Sequence, residues 1–92
     1  MTITVYYLAQ LRRATKLAIE AVELEASATL GDLLARIVQV HGDELRRLLL
    51  DDRGALRSTL LVFVNDEQAV HPERVFLKDG DSITFLSPIA GG

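Results

Sequence analysis

Residues 29–41, Thr-Leu-Gly-Asp-Leu-Leu-Ala-Arg-Ile-Val-Gln-Val-His, carry the clearest signature of an amphipathic helix in the chain, and they limit what the remainder can build. Thr29 is placed to cap the first turn. Asp32, three residues on, completes a capping-box pattern and favours the positive end of the helix. Leu30, Leu33, Leu34 and Ile37 recur at i, i+3, i+4 and i+7, so one face of the helix is apolar and has to be covered. Gly42 stands where a helix stop is expected. A helix of this kind needs a second layer to lie on, and the rest of the sequence supplies strands.

Thr2 to Tyr7 alternates with period two, Ile3, Val5 and Tyr7 on one face and Thr2, Thr4 and Tyr6 on the other, which predicts a strand. Leu8 breaks the phase and is expected to point away from the core. Ala9 to Lys16, with Arg12, Arg13 and Lys16, reads as a loop. A second strand is expected at about Ile19 to Leu24, with Val22 and Leu24 inward, forming an opening hairpin with the first. After the helix, Asp43 to Leu50 shows a weaker helical pattern, and Asp52-Arg53-Gly54 punctuates it as a turn. Leu60 to Val64 is continuously apolar and β-rich, which predicts a central strand with one face over the helix. Asn65-Asp66 reads as a turn, and Gln68 to Val70 as a short edge strand ended by His71-Pro72. Lys78-Asp79-Gly80-Asp81 reads as a turn with positive φ at the glycine. Ser82 to Leu86 is the last strand, Ile83 and Phe85 inward and Leu86 outward. Pro88 lacks an N–H, so pairing should stop there and leave residues 87–92 as an unpaired, mobile tail. Hairpin, helix, strand, short strand, strand predicts an α+β roll of the β-grasp kind: a mixed sheet on one main helix, a single domain over residues 1–92.

Composition removes several classes of function. The chain has 10 Lys+Arg against 13 Asp+Glu, a net charge of -3, which argues against nucleic acid and suits a basic protein surface. There is no cysteine, hence no disulfide framework, thiolate nucleophile or zinc–thiolate site, in keeping with a cytoplasmic location. The opening residues read as a strand and not as a signal peptide, and no apolar run approaches the roughly 20 residues of a membrane span. His41 and His71 lack ligand spacing, so no metal site is expected; His41 falls in the last helical turn, where a cap-like role suits an imidazole. Asp51-Asp52 and Asp66-Glu67 read as solvated turns before acid–base pairs. Gly31, Gly42 and Gly54 are isolated and make no phosphate-cradling loop.

The chemistry that remains is at the C-terminus, Ser87-Pro88-Ile89-Ala90-Gly91-Gly92. Two glycines without Cβ atoms make a narrow, pliable end that carries an α-carboxylate. A carboxylate is a poor electrophile until activated, for instance as an acyl-adenylate. An activating enzyme must thread the end into a closed pocket, and Gly-Gly suits threading.

Several segments in register resemble the MoaD/ThiS sulfur carriers, bacterial relatives of ubiquitin. They are Tyr7-Leu8-Ala9-Gln10-Leu11-Arg12, Thr29-Leu30-Gly31-Asp32-Leu33-Leu34, Val64-Asn65, Asp79-Gly80-Asp81 and Pro88-Ile89-Ala90-Gly91-Gly92. Ser87-Pro88 stands where the family often has Pro-Pro, and Arg13-Ala14 where it often has an acid and a glycine. The 42–59 stretch is longer than in compact members, which looks closer to carriers serving cysteine or other thio-metabolites.

The resemblance implies a ubiquitin-like β-grasp and a protein co-substrate that is not itself an enzyme. It implies that a MoeB/ThiF-like enzyme, using ATP and magnesium, adenylates the Gly92 carboxylate, and that sulfur then replaces AMP to leave a thiocarboxylate. It further implies that Ile89, Ala90 and Gly91 thread the partner's pocket, and that sulfur is delivered to an acceptor such as a molybdopterin synthase large subunit. The carrier itself binds no cofactor. Leu8, Leu86 and Phe63 are the expected partner patch. Cysteine, thiamin or other thio-metabolite synthesis, conjugation to lysines through Gly92, and an inert interaction module remain as alternatives.

Overall fold

Alternation in residues 2–7 builds strand β1, Thr2–Tyr7, whose burial follows the period, with Ile3, Val5 and Tyr7 fully enclosed. A computed structural model of the chain describes residues 1–87. After β1 come α1 (Gln10–Thr15), β2 (Ile19–Glu23), α2 (Leu30–His41), α3 (Asp43–Leu49), β3 (Leu61–Val64), β4 (Glu67–Gln68), a one-turn 3-10 segment (Pro72–Arg74) and β5 (Ser82–Leu86). The five strands form one sheet in the order β2-β1-β5-β3-β4. β1 and β5 run parallel, and the other neighbours are antiparallel, so the sheet is mixed as expected of a β-grasp.

The predicted capping box forms. Thr29 Oγ1 accepts the Asp32 N–H at 3.2 Å, and Asp32 Oδ2 accepts the Thr29 N–H at 2.9 Å. Leu30, Leu33, Leu34 and Ile37 of α2 are buried with Leu45 and Leu49 of α3 against Ile3, Val5, Tyr7, Val62, Ile83 and Phe85 of the sheet. Gly42 ends α2 at φ 89°, a left-handed value that glycine tolerates. Asn65 and Asp66 both have positive φ, 51° and 72°, as a two-residue hairpin turn between β3 and β4 requires.

Three readings of the sequence are corrected. Residues 9–16 contain a helix and not only a loop. Leu11 is fully buried, Thr15 returns its hydroxyl to the Leu11 carbonyl at 3.0 Å, and Lys16 closes the turn at φ 64°. Six residues give too little length for a periodic signal, and packing against α3 holds the helix in place of a cap. The central strand is β5 and not the 60–64 segment: β5 lies between β1 and β3 because the chain crosses over to pair it in parallel with β1. The edge strand is Glu67–Gln68, one residue earlier than the pattern predicts and only two residues long, since it starts where the Asn65-Asp66 turn delivers it.

Candidate docking site at the end of the last strand

Period two settles which β5 residues face the helices. Ile83 and Phe85 are fully buried, so Ser82, Thr84 and Leu86 lie on the opposite, open face. Register then assembles that face. Thr84 pairs with Tyr6 on one side and Phe63 on the other; Tyr6 pairs with Ile19, and Leu61 with Leu86. Ile19 is 55% exposed, whereas Tyr6, Phe63, Leu61 and Leu86 are half-buried. Leu8 is 41% exposed and follows Tyr7, the partner of Phe85, so Leu8 and Leu86 are the next residues at the same end of two parallel neighbours. The structure therefore brings the three expected patch residues to one face of the sheet, Leu8 and Leu86 at the end where β5 finishes and Phe63 opposite Thr84 in the middle of that strand. Sequence reasoning missed Ile19, Tyr6 and Leu61 on the same face. Their alternation was visible, but cross-strand register was not. Ile89, Ala90, Gly91 and Gly92 lie outside the described residues.

The start of β5 is fixed by a buried carboxylate at the other end of the strand. Asp81 Oδ1 accepts from Asn65 Nδ2 at 2.8 Å, Asp81 Oδ2 accepts the Lys78 N–H at 2.7 Å, and Asn65 Oδ1 accepts the Ser82 N–H at 2.9 Å. These bonds tie the 78–81 turn to the β3–β4 turn and hold the register of β5.

One polar cluster sits on the helix side. Tyr7 donates its hydroxyl to Glu20 Oε1 at 2.8 Å, and His41 Nε2 lies 2.8 Å from the same oxygen. The Tyr7 and His41 rings meet edge to face with centroids 5.8 Å apart. His41 thus reaches across to β2, where the sequence suggested a cap on its own helix. Burial, reinforced by the hydrogen bond to the Glu20 carboxylate and its charge, pushes the Tyr7 hydroxyl far above the usual tyrosine range. Backbone N–H groups of Ala55 and Arg53 hold Asp51 below the usual carboxylate range. Among the described residues no group of three or more His, Cys, Asp or Glu is placed to hold a metal ion. A cleft of about 550 Å³, lined by Leu30, Leu34, Leu50, Leu56 and Pro72, is formed by the helices and loops on the covered side of the sheet.

A mixed sheet with a half-buried apolar open face, and a last strand that ends beside it, offers a surface on which another protein could dock. The chain belongs to the ThiS family, whose model matches residues 5–92, and so to the ubiquitin-like sulfur carriers. It is 30% identical over 92 residues to the molybdopterin synthase sulfur carrier subunit of Chlamydomonas reinhardtii, with 100% of both chains covered. Its fold is similar to that of SAMP1, small archaeal modifier protein 1, from Haloferax volcanii, with a TM-score of 0.87, 26% identity and 100% of each chain covered. It is also similar to a chain of the Amycolatopsis orientalis BexX/CysO complex, with a TM-score of 0.75, 27% identity, and coverage of 98% and 99%. Among the described residues no helix is long and apolar enough to cross a membrane.

Proposed function

We propose that this chain is a single-domain, cytoplasmic sulfur carrier whose Gly92 carboxylate is activated and sulfurated by partner enzymes, for molybdopterin synthesis. The carrying observation is the full-length similarity to a molybdopterin synthase sulfur carrier subunit. A carboxylate oxygen of Gly92 attacks the α-phosphate of ATP on a MoeB/ThiF-like enzyme that also supplies magnesium, and pyrophosphate leaves. Hydrosulfide released by the sulfur donor then attacks the acyl carbon, displaces AMP and gives up its proton. The resulting thiocarboxylate is soft and nucleophilic. Its sulfur adds to an electrophilic carbon of a substrate held by an acceptor such as a molybdopterin synthase large subunit. Water then cleaves the acyl–sulfur bond, leaving sulfur on the acceptor's substrate and returning the Gly92 carboxylate. The carrier binds no cofactor of its own. Its contribution is placement: the open face around Leu8, Phe63 and Leu86 docks, and Ile89, Ala90 and Gly91 lead Gly92 into the partner's pocket.

Mass spectrometry of the protein after incubation with ATP, magnesium, a MoeB/ThiF-like enzyme and a sulfur donor tests this. Exchange of oxygen for sulfur at Gly92 is expected, and its loss when an alanine is appended after Gly92. Retention of full transfer by the extended chain, untrimmed, overturns the mechanism. The longer 42–59 stretch favours a cysteine or other thio-metabolite pathway as a second destination for the same sulfur. Similarity to a modifier protein supports conjugation to lysines, and isopeptide-linked Gly-Gly remnants on other proteins would identify it.

A further inference from the structure

The net charge of -3 conceals a division. Residues 1–19, 53–65 and 82–92 contain no Asp or Glu, and all 13 acids fall within 20–52 and 66–81. The fold brings residues 7–16, 57–61 and 85–86, each within an acid-free segment, to one end of the sheet. Tyr7 pairs in parallel with Phe85, and α1 begins three residues after Tyr7. Leu61 pairs with Leu86, and just ahead of it the Arg57 carbonyl accepts the Leu60 N–H at 3.1 Å. α1 packs against α3, and Arg57 Nε donates to the Arg47 carbonyl at 2.6 Å. Arg12, Arg13, Lys16, Arg47 and Arg57, all exposed, are thereby collected where β5 ends. None of the five forms an ion pair among the described residues; the pairs there are His41–Glu20, Arg46–Asp43 and His71–Glu73. At the start of β5 the sign reverses, with Asp66, Glu67, Asp79 and Asp81 around it and Glu23 opposite Thr2.

Arg57 also ties the loop to α3 through the Arg47 carbonyl, but five like charges at one end repel one another, a cost that a partner of opposite sign would relieve. We infer that Arg12, Arg13, Lys16, Arg47 and Arg57 form a basic collar around the exit of β5 that docks on an acidic rim of the protein receiving the C-terminus. A protein surface fits better than nucleic acid. Residues 8–18 and 43–60 hold no aromatic ring on which a base could stack, and Leu8 and Leu17 stand exposed among the cations, 41% and 39%. The inference rests on the proposed function, because the collar matters only if the segment beyond it enters a partner.

The test measures pyrophosphate release by a purified MoeB/ThiF-like enzyme from the same organism, with this chain as substrate, against sodium chloride concentration. Expected for Arg12→Glu/Arg13→Glu is a fall in kcat/KM of about tenfold or more at low salt that shrinks to about twofold at high salt. Arg57→Glu should act in the same direction. Arg74→Glu/Lys78→Glu, the same change in net charge away from the collar, should leave the rate within about twofold. Unchanged melting temperatures separate docking from misfolding, and Arg12→Gln/Arg13→Gln, with half the charge change, should fall between wild type and reversal. Equal losses in the collar and control variants, or losses independent of salt, overturn the collar while leaving the carrier reading intact. Binding of a fluorescent single-stranded RNA, abolished by Arg12→Glu/Arg13→Glu, overturns it in favour of nucleic acid. No pyrophosphate release from the wild-type chain overturns the carrier reading and the collar with it.

Discussion

Ala9 joins β1 to α1 at φ 50° and ψ -118°, a conformation that an L-residue with a Cβ rarely adopts, and its methyl is exposed. Glycine removes the steric cost and adds a smaller entropic one, so Ala9→Gly should stabilise the protein by about 0.5–1 kcal/mol in urea unfolding. No sequence pattern marked Ala9, because the strain exists only once both flanking elements are docked. Tyr7 illustrates the opposite case. Its inward position was legible from the period of β1, but its bond to Glu20 depends on the β1–β2 register and on where α2 ends. The Tyr7 pKa is raised on folding, so its contribution is fully present below the unfolded value of about 10 and is lost as pH rises beyond it. Stability measured between about pH 8 and about pH 11 should therefore fall at the alkaline end. Tyr7→Phe should cost about 1–2 kcal/mol near neutrality and flatten that alkaline fall. An alkaline decline of the same size in the variant would remove Tyr7 as its source.

Among the elements, α2 was the most legible, because a cap, a 3.6-residue apolar stripe and a stop all coincide between Thr29 and Gly42. The helix α1 was the least legible, since Gln10–Thr15 is stabilised by what it packs against. Leu11 inserts fully into the core and holds α1 there. Leu11→Ala should cost about 2–5 kcal/mol by urea or thermal unfolding, as buried leucine truncations do. A cost under about 1 kcal/mol would mean that the first reading, a solvated loop at 9–16, describes this segment better. The same misreading bears on the candidate site, because the cations Arg12 and Arg13 belong to a helix at the end of the sheet and not to a free loop.

At the scale of the whole molecule, the open face around Phe63 and Leu86 is where fold and function separate. Both side chains are half-buried on the side away from the helices. Phe63→Ser/Leu86→Ser should cost less than about 2 kcal/mol of stability while lowering thiocarboxylate formation by a partner enzyme about tenfold or more. A variant that unfolds, or one that is sulfurated at the wild-type rate, would argue that these residues only cover their own sheet. The sequence by itself determined which residues alternate, which face of α2 is apolar, where the turns fall and that the C-terminus is Gly-Gly, because those depend on local periodicity and on the freedom of single residues. Tertiary structure alone decided that β5 lies at the centre, that Leu8, Phe63 and Leu86 share one surface, and that an acidic chain presents a basic end beside its last strand. Each of these follows from pairing between segments far apart in the chain, and register between distant strands is set by packing that no local window contains.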